Sequence, residues 1–213
     1  MNFWNFVAQN RSEIASLTLE HCAMVGISML LSIAIGVPLG ILIARRPALR
    51  QPVIAAANVI QTIPSLALFG FLLPTPWIGE RAERLAVLAL MLYALLPLIR
   101  NTYAGIAGVD RAVVEAARGM GLTGAQLLFK VELPLAASVI LAGVRVAVVT
   151  SIGLATIAAA VGAGGLGELI FRGLAMVNNS VILAGAIPAA LLALGADVLV
   201  GWLEKRLAPQ RAA

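Results

Sequence analysis

Polar side chains that could contact a small polar ligand occur inside the long apolar runs of this sequence. The largest group follows the spacing i, i+3, i+4 and i+7, which puts side chains on one face of a helix. Its members are Asn58, Gln61, Thr62 and Ser65. Pro64 lies within this stripe and predicts a kink that frees backbone carbonyls for a ligand or for gating. Since polar groups that face lipid lack partners, we expect the stripe to line a translocation path, although any single member could instead bond a neighbouring helix.

Two opposite charges lie deep inside apolar runs, Arg145 and Asp197. A single charge at the centre of a bilayer costs about 2.5–3.5 kcal/mol on insertion scales, so an unpaired one is disfavoured. Counted at about 1.5 Å per helical residue from the same side of the membrane, both residues reach a similar depth. We therefore predict a structural ion pair in the inner half of the bundle, rather than direct contact with a transported ligand.

Residue types that often do chemistry are otherwise scarce. The one histidine, His21, and the one cysteine, Cys22, argue against a metal site or an intrachain disulfide. The string from Gly162 to Gly167 matches the dinucleotide pattern G-x-G-x-x-G, but an apolar helix precedes it instead of the strand that such a site needs. We interpret its glycines as a flexible outer loop that could form a gate rim, or as a simple helix terminator. They are Gly162, Gly164, Gly165 and Gly167.

The composition of the sequence predicts the kind of helices that hold these residues. Of 213 residues, 61% are hydrophobic and 12% are charged, whereas soluble domains carry roughly 25% charged residues. A spanning helix needs roughly 20 apolar residues, and no run alternates with period two as a membrane barrel strand would. The sequence predicts an all-α integral membrane protein, one domain over residues 1–213, with five transmembrane helices. The predicted spans are about 17–44, 53–73, 85–99, 135–161 and 181–203.

The basic residues between the spans predict orientation. Ten fall on one side of the membrane and four on the other. The larger set is Arg45, Arg46, Arg50, Arg100, Arg111, Arg118, Lys130, Lys205, Arg206 and Arg211. Because cytoplasmic loops are enriched in Lys and Arg, the N-terminus is expected outside and the C-terminus in the cytoplasm. The net charge of +5 then reflects membrane orientation, and no nucleic-acid partner is expected.

The predicted cytoplasmic loop, residues 100–134, is too long for a simple turn. Asp110 is placed to cap a short helix, which Gly119 and Gly121 then end. Thr123 starts a second short helix with capping-box spacing. This pattern predicts a helix–turn–helix at the membrane surface, which either docks into another protein or is merely a well-capped loop.

A fixed pattern of residues runs through this loop and into the fourth span. It consists of Glu115-Ala116-Ala117, three residues, Gly121, nine residues, Val131, one residue and Leu133-Pro134. The pattern resembles the EAA motif of ABC importer permeases, in which this loop is a coupling helix that sits in a cleft of the ATP-binding subunit. The resemblance implies ATPase coupling by Glu115, Ala116, Ala117, Gly121, Leu133 and Pro134.

Three further strings narrow the resemblance. Residues 58–67, 96–106 and 162–174 are similar to the permeases of osmoprotectant importers, which carry glycine betaine, choline, carnitine and related compounds. The resemblance implies a type I importer permease in the bacterial inner membrane, a non-catalytic transport subunit without cofactors of its own. ATP and Mg²⁺ would bind to separate ATPase subunits, since the sequence has no Gly-Lys-Ser/Thr phosphate loop. The other implied partners are an extracytoplasmic substrate-binding protein and a second permease, identical or similar.

Three alternatives remain open from the sequence. A methionine or other amino-acid ABC permease shares the five-span plan and the glycine-rich segment. A self-sufficient secondary carrier or channel would need more ionisable residues deep in its spans than Arg145 and Asp197. A non-transporting scaffold would give the polar stripe no role.

The scarcity of aromatic residues in the spans bears on cargo recognition. Quaternary ammonium groups bind over aromatic faces, and Tyr93 is isolated within its span. A tight aromatic cage for such a cargo is therefore expected on the binding protein.

Overall fold

The computed structural model describes residues 3–207, so Arg211 and the chain's last residues lie outside the described range. Within that range the regular structure is helical and contains no strand. In chain order the α-helices are α1 (Phe3–Gln9), α2 (Arg11–Arg45), α3 (Pro47–Thr62), α4 (Ser65–Leu72), α5 (Ala82–Ala107), α6 (Arg111–Gly119), α7 (Gly124–Leu127), α8 (Leu133–Ala158), α9 (Gly167–Ala175) and α10 (Asn179–Leu207). A π-helical turn, Leu128–Glu132, joins α7 to α8, and a 3-10 turn, Ala159–Val161, follows α8.

Four helices, α2, α5, α8 and α10, are each long and apolar enough to cross a membrane. The first, fourth and fifth predicted spans coincide with α2, α8 with its 3-10 turn, and α10. The third predicted span, 85–99, is too short, because α5 continues through Arg84 and Arg100 at its two ends. A charged residue ends an apolar run in the sequence, but the helix itself continues until Gly108 caps it.

The second predicted span, 53–73, is not one helix. It is divided into α3 and α4, whose axes differ by 99°. Ile63 between them is extended (φ −71°, ψ 126°), as expected for a residue whose α conformation is blocked by the following proline. Pro64 then opens α4 and supplies no backbone donor. The bent pair provides a fifth crossing if its two halves span the membrane together.

Helix α5 lies at the centre of the bundle, between α2 and α8. Glycines allow both neighbours to approach it closely. A Cβ added at Gly40 of α2 would lie 2.5 Å from the Cβ of Thr102, and one added at Gly143 of α8 would lie 2.5 Å from the Cβ of Asn101. In membranes, where lipid is as apolar as the core, such close packing by small residues replaces the hydrophobic effect as the source of association.

Candidate functional site

The segment between α5 and α8, residues 108–132, folds into a unit that we call the connector. The Asp110 carboxylate accepts a hydrogen bond from the backbone N–H of Ala112 at 2.8 Å and caps α6. Thr123 and Gln126 form a capping box at the start of α7, with reciprocal bonds of 3.3 and 2.9 Å. The helix–turn–helix predicted from the sequence is therefore present, and its helix starts are capped by its own side chains.

The motif residues occupy distinct positions in the connector. Glu115 and Ala116 are exposed on α6, while Ala117 is buried on its inner face. Gly121 makes the turn after α6 with a φ of +81°, a left-handed conformation that favours glycine. Leu133-Pro134 directly follows the π-helical turn at the start of α8, and Pro134, which has no backbone N–H, donates no hydrogen bond there.

The connector exposes large apolar side chains. Val113, Met120 and Phe129 are 42%, 75% and 67% exposed, while Ala117 and Leu127 are buried within the unit. Val113 and Met120 lie outside the candidate spans, where exposed apolar side chains are typical of a protein-contact surface, whereas Phe129 lies near the start of the span Gly124–Val161.

An ion pair that the sequence analysis missed joins the connector to α2. Arg45, the last residue of α2, donates a hydrogen bond to the carboxylate of Glu132, which is 4% exposed. Both residues stand at the ends of apolar runs, where charges are ordinarily solvated. Glu132 is the one acidic residue between Glu115 and Glu168 in the sequence, but this isolation does not indicate its partner.

The predicted polar stripe is shared between two helices. Asn58, Gln61 and Thr62 lie on α3, but Ser65 begins α4 beyond the 99° bend and does not continue their face. The Asn58 Oδ1 accepts a hydrogen bond from Arg100 at 2.9 Å. The expectation of one continuous face is therefore wrong, because the helix ends before the fourth member.

The end of α3 is bonded to α5 at two positions just before Pro64. The Gln61 amide donates to the carbonyl of Tyr93 at 2.8 Å, and the Tyr93 hydroxyl donates to the carbonyl of Ile63. The Thr62 hydroxyl donates a hydrogen bond to the Val59 carbonyl of the same helix at 2.7 Å. The carbonyl that precedes Pro64 is thus already occupied by a side chain of α5 and is not left free for a ligand.

A cavity of about 330 Å³ opens between α3, α5 and α8. Of the predicted path residues it includes Gln61, and it adds polar groups that the sequence analysis did not select. Its polar and aromatic lining is Gln61, Tyr93, Arg100, Asn101, Thr150 and Ser151. Within residues 3–207 no carboxylate lies within 4.0 Å of the Arg100 guanidinium, so this cavity has a cationic side. Its volume suits a small molecule.

Arg145 and Asp197, predicted to pair, are in contact. Both bonds of the bidentate pair measure 2.6 Å, and Glu204 lies 3.9 Å from the same guanidinium. The guanidinium lies over Gly201, where an added Cβ would come within 3.2 Å of it. Each side chain of the Arg145–Asp197 pair is 39% exposed, so the pair lies on the flank of α8 and α10 and is not enclosed in the bundle.

The glycine-rich segment after α8, predicted as a flexible outer loop or a helix terminator, is mostly buried. Gly164, Gly165 and Gly167 are buried, and only Gly162 among the four is exposed. The backbone N–H of Gly165 donates to the Glu20 carboxylate at 3.3 Å. Small residues are required here because a Cβ at Gly167 would lie 2.0 Å from a backbone oxygen of α8. The segment is a tightly packed turn between α8 and α9, and no strand precedes it in the described chain.

No group of three or more His, Cys, Asp or Glu side chains that could hold a metal ion occurs between residues 3 and 207. His21 is buried and donates to the carbonyl of Ile152 at 3.1 Å, which ties α2 to α8. Cys22, its neighbour, is exposed. His21 therefore packs as part of the helix bundle.

A further ion pair stands outside the apolar runs. Arg172 of α9 donates to Glu13, in the first turn of α2, at 2.7 Å. This hydrogen bond raises the pKa of the Arg172 guanidinium above its ordinary value. The pair ties α9 to the start of α2, on the same side of the bundle as the glycine-rich turn.

Comparison with known proteins identifies the family of this chain. Residues 36–209 match the family described as binding-protein-dependent transport system inner membrane component, and the chain belongs to that family. It is 47% identical over 205 residues to the choline transport system permease protein OpuBD of Bacillus subtilis, covering 96% of this chain and 89% of that protein. It is 42% identical over 212 residues to the osmoprotectant import permease protein OsmW of Salmonella typhimurium, covering 99% of both.

The fold is shared with solved transporters. The inward-facing methionine ABC transporter MetNI aligns with a TM-score of 0.81 and 24% identity, over 89% of this chain and 93% of that one. An amino acid ABC transporter solved with histidines aligns with a TM-score of 0.72 and 21% identity, over 97% and 99%. The all-α permease fold and the resemblance to osmoprotectant permeases, both expected from the sequence, are confirmed.

Proposed function

We propose that this chain is the permease subunit of an ABC importer whose cargo is a small osmoprotectant of the quaternary ammonium class, such as glycine betaine, choline or carnitine. One observation supports this cargo assignment. The chain is 42–47% identical, over nearly its whole length, to permeases whose names state osmoprotectant or choline transport. The methionine transporter shares the fold at 24% identity, which supports the architecture and not the cargo.

The connector is the proposed contact with the ATPase subunits, which would hold ATP and Mg²⁺. Its capped helices give a fixed shape, and its exposed apolar side chains would be covered by the partner. Glu115, Ala116 and Gly121 would contact the ATPase or set the turn that faces it. This contact would put the connector side of α5 and α8 in the cytoplasm, and the excess of basic residues on that side supports this orientation.

The cavity between α3, α5 and α8 is the proposed segment of the translocation path in this subunit. Tyr93 would offer an aromatic face to a quaternary ammonium group, and Gln61 and Thr150 would offer hydrogen-bonding groups. The Arg100 guanidinium on the cationic side would attract the carboxylate of glycine betaine or carnitine and would disfavour choline, which has none. The cavity is open on one side, so a second permease copy or a similar permease would complete the path. Weak contacts of this kind suit transit, while tight recognition is left to a separate binding protein outside the membrane.

The test is reconstitution of the permease with its ATPase and binding protein in vesicles that contain ATP. We expect labelled glycine betaine, choline or carnitine to accumulate only when ATP and both partners are present. Accumulation of methionine alone would support the amino-acid alternative, and accumulation without any ATPase would support a secondary carrier.

A variant tests the proposed ATPase contact. Ala116→Arg adds a large charged side chain on the exposed face of α6 and should abolish co-purification of the ATPase. Ala160→Arg, at an exposed position beyond the opposite end of α8, is the matched control and should leave the complex intact. ATPase that co-purifies normally with Ala116→Arg would contradict the proposed contact.

A further inference from the structure

We propose that the Arg45–Glu132 ion pair is the contact through which the connector moves α2 and α3 together with α8. Both residues are positioning residues: they act on helix placement and not on the cargo. The proposal rests on the proposed function, in which closure of the ATPase displaces the connector.

The first argument is the burial of Glu132. Its side chain is only 6% exposed, whereas that of Arg45 is 34% exposed. A buried carboxylate is strongly unfavourable without a cationic partner. Within residues 3–207, Arg45 is the one cationic side chain within 4.0 Å of Glu132. The end of α2 is therefore held at the start of α8 by the need to neutralise this carboxylate.

The second argument is the π-helical turn, Leu128–Glu132. A π turn contains more residues per turn than an α-helix, so it rotates the side chains that follow it relative to a regular helix. Such turns are rare and occur frequently at functional sites. Here the turn ends at the residue that contacts α2, immediately before α8 begins at Leu133.

The third argument is the position of Arg45 in the chain. Arg46 follows it in a non-helical conformation (φ −127°, ψ 86°), and Pro47 then starts α3. Arg45 thus lies at the corner between α2 and α3. From that corner α3 runs about 20 Å, at 1.5 Å per residue, to Gln61 at the cavity.

The connector is covalently continuous with α5 at residue 108 and with α8 at Glu132. The ion pair adds a third connection, through Arg45 into α2 and the start of α3. Since α3 and α8 both line the cavity, the ion pair adds a connection from the connector to the α3 wall through the corner between α2 and α3, beside the hydrogen bonds that join α3 to α5.

The experiment measures cargo uptake per ATP hydrolysed by the reconstituted complex. The variants are Arg45→Gln, Glu132→Gln and the charge swap that combines Arg45→Glu with Glu132→Arg. Arg46→Gln is the matched control, because Arg46 is an exposed arginine at the adjacent position. We expect the two single variants to assemble and hydrolyse ATP but to lose about tenfold in uptake per ATP, within the range of typical coupling energies. The swap should recover most of the loss, and Arg46→Gln should match the unmodified protein.

Two results would overturn the proposal. One is an unchanged uptake-to-hydrolysis ratio in both single variants. The other is loss of assembly in all three altered pairs, which would assign the contact to folding and not to coupling. If only the single variants fail to assemble, the swap decides: a normal ratio supports the proposal and a low ratio contradicts it.

Failure of the proposed function is distinguishable from failure of this inference. If the unmodified complex transports none of the tested osmoprotectants, the cargo assignment is wrong. Stimulation of ATP hydrolysis by the loaded binding protein then replaces uptake as the readout of coupling for the same variants, with its own cargo as the stimulus. Loss of that stimulation in the single variants, restored by the swap, would support the ion pair, whereas unchanged stimulation in the single variants would contradict it.

Discussion

The hydroxyl group of Tyr93 donates a hydrogen bond to the carbonyl of Ile63, at the break between α3 and α4. The same tyrosine lines the cavity between α3, α5 and α8. One side chain therefore holds the bent helix pair in place and contributes to the proposed path. A change at Tyr93 should affect both stability and transport.

Tyr93→Phe removes the hydroxyl group and leaves the Ile63 carbonyl without this donor. We expect a loss of about 1 kcal/mol in the free energy of unfolding, the typical net contribution of a hydrogen bond, together with slower uptake. Tyr103→Phe is the control on the same helix, since Tyr103 contacts Arg50 through its ring, 4.7 Å from the guanidinium carbon. Both variants are compared by thermal unfolding in detergent and by uptake in vesicles. Equal losses in Tyr93→Phe and Tyr103→Phe would contradict the proposed role of the Tyr93 hydroxyl group.

Arg145 and Asp197 should depend on each other for folding in the membrane. Reversal of either charge leaves two like charges side by side, and the amount of folded permease should fall severalfold, since an unpaired charge in a bilayer is unfavourable. The double reversal should restore that amount only in part. Recovery is incomplete because Glu204 would then repel the new carboxylate at position 145. Size-exclusion chromatography of the solubilised protein measures the recovery, and a double variant no better than the singles would argue against pairing.

Gly121→Ala tests the turn after α6 by backbone strain alone. The φ of +81° disfavours any side chain, yet an added Cβ would meet no atom within 4 Å. We expect a cost of about 1–2 kcal/mol in the free energy of unfolding. Gly119→Ala is the control, because Gly119 lies at the end of α6 with equally open surroundings and no positive φ. Alanine there should be neutral or slightly stabilising, as judged by thermal unfolding.

Gly40→Ala tests the packing of α2 on α5. The added Cβ would lie 2.5 Å from Thr102 and would force the helices apart. We expect a loss of about 1–3 kcal/mol in the free energy of unfolding, as for other overpacked sites. Gly26→Ala on the same helix has open space around its Cβ and should cost nothing. A thermal unfolding midpoint that is unchanged by Gly40→Ala would contradict this close approach.

The charged pair in the spans could be found from the sequence, whereas the one at the connector could not. Arg145 and Asp197 lie within apolar runs, where a charge must find a partner. Arg45 and Glu132 lie at the ends of runs, where water would ordinarily solvate them. The π-helical turn that rotates Glu132 inward is also invisible to a search based on 3.6-residue periodicity.

The bend in the second predicted span shows a different limit. Pro64 was recognised as a source of a kink, but prolines also lie inside four continuous helices of the described chain, at Pro38, Pro52, Pro97 and Pro188. The presence of a proline in the sequence therefore does not distinguish a mild kink from a right-angle break. The difference at Pro64 depends on contacts from α5, which are distant in sequence.

The capping of the connector has a consequence for assembly. Because Asp110 and the Thr123–Gln126 pair satisfy the helix starts internally, this unit is preorganised in the free permease. A partner that binds it needs to immobilise few backbone dihedrals, so little conformational entropy is lost on association. Detached and engaged permeases should therefore present the same rigid surface, and recognition should proceed by docking of a preformed shape and not by folding on contact.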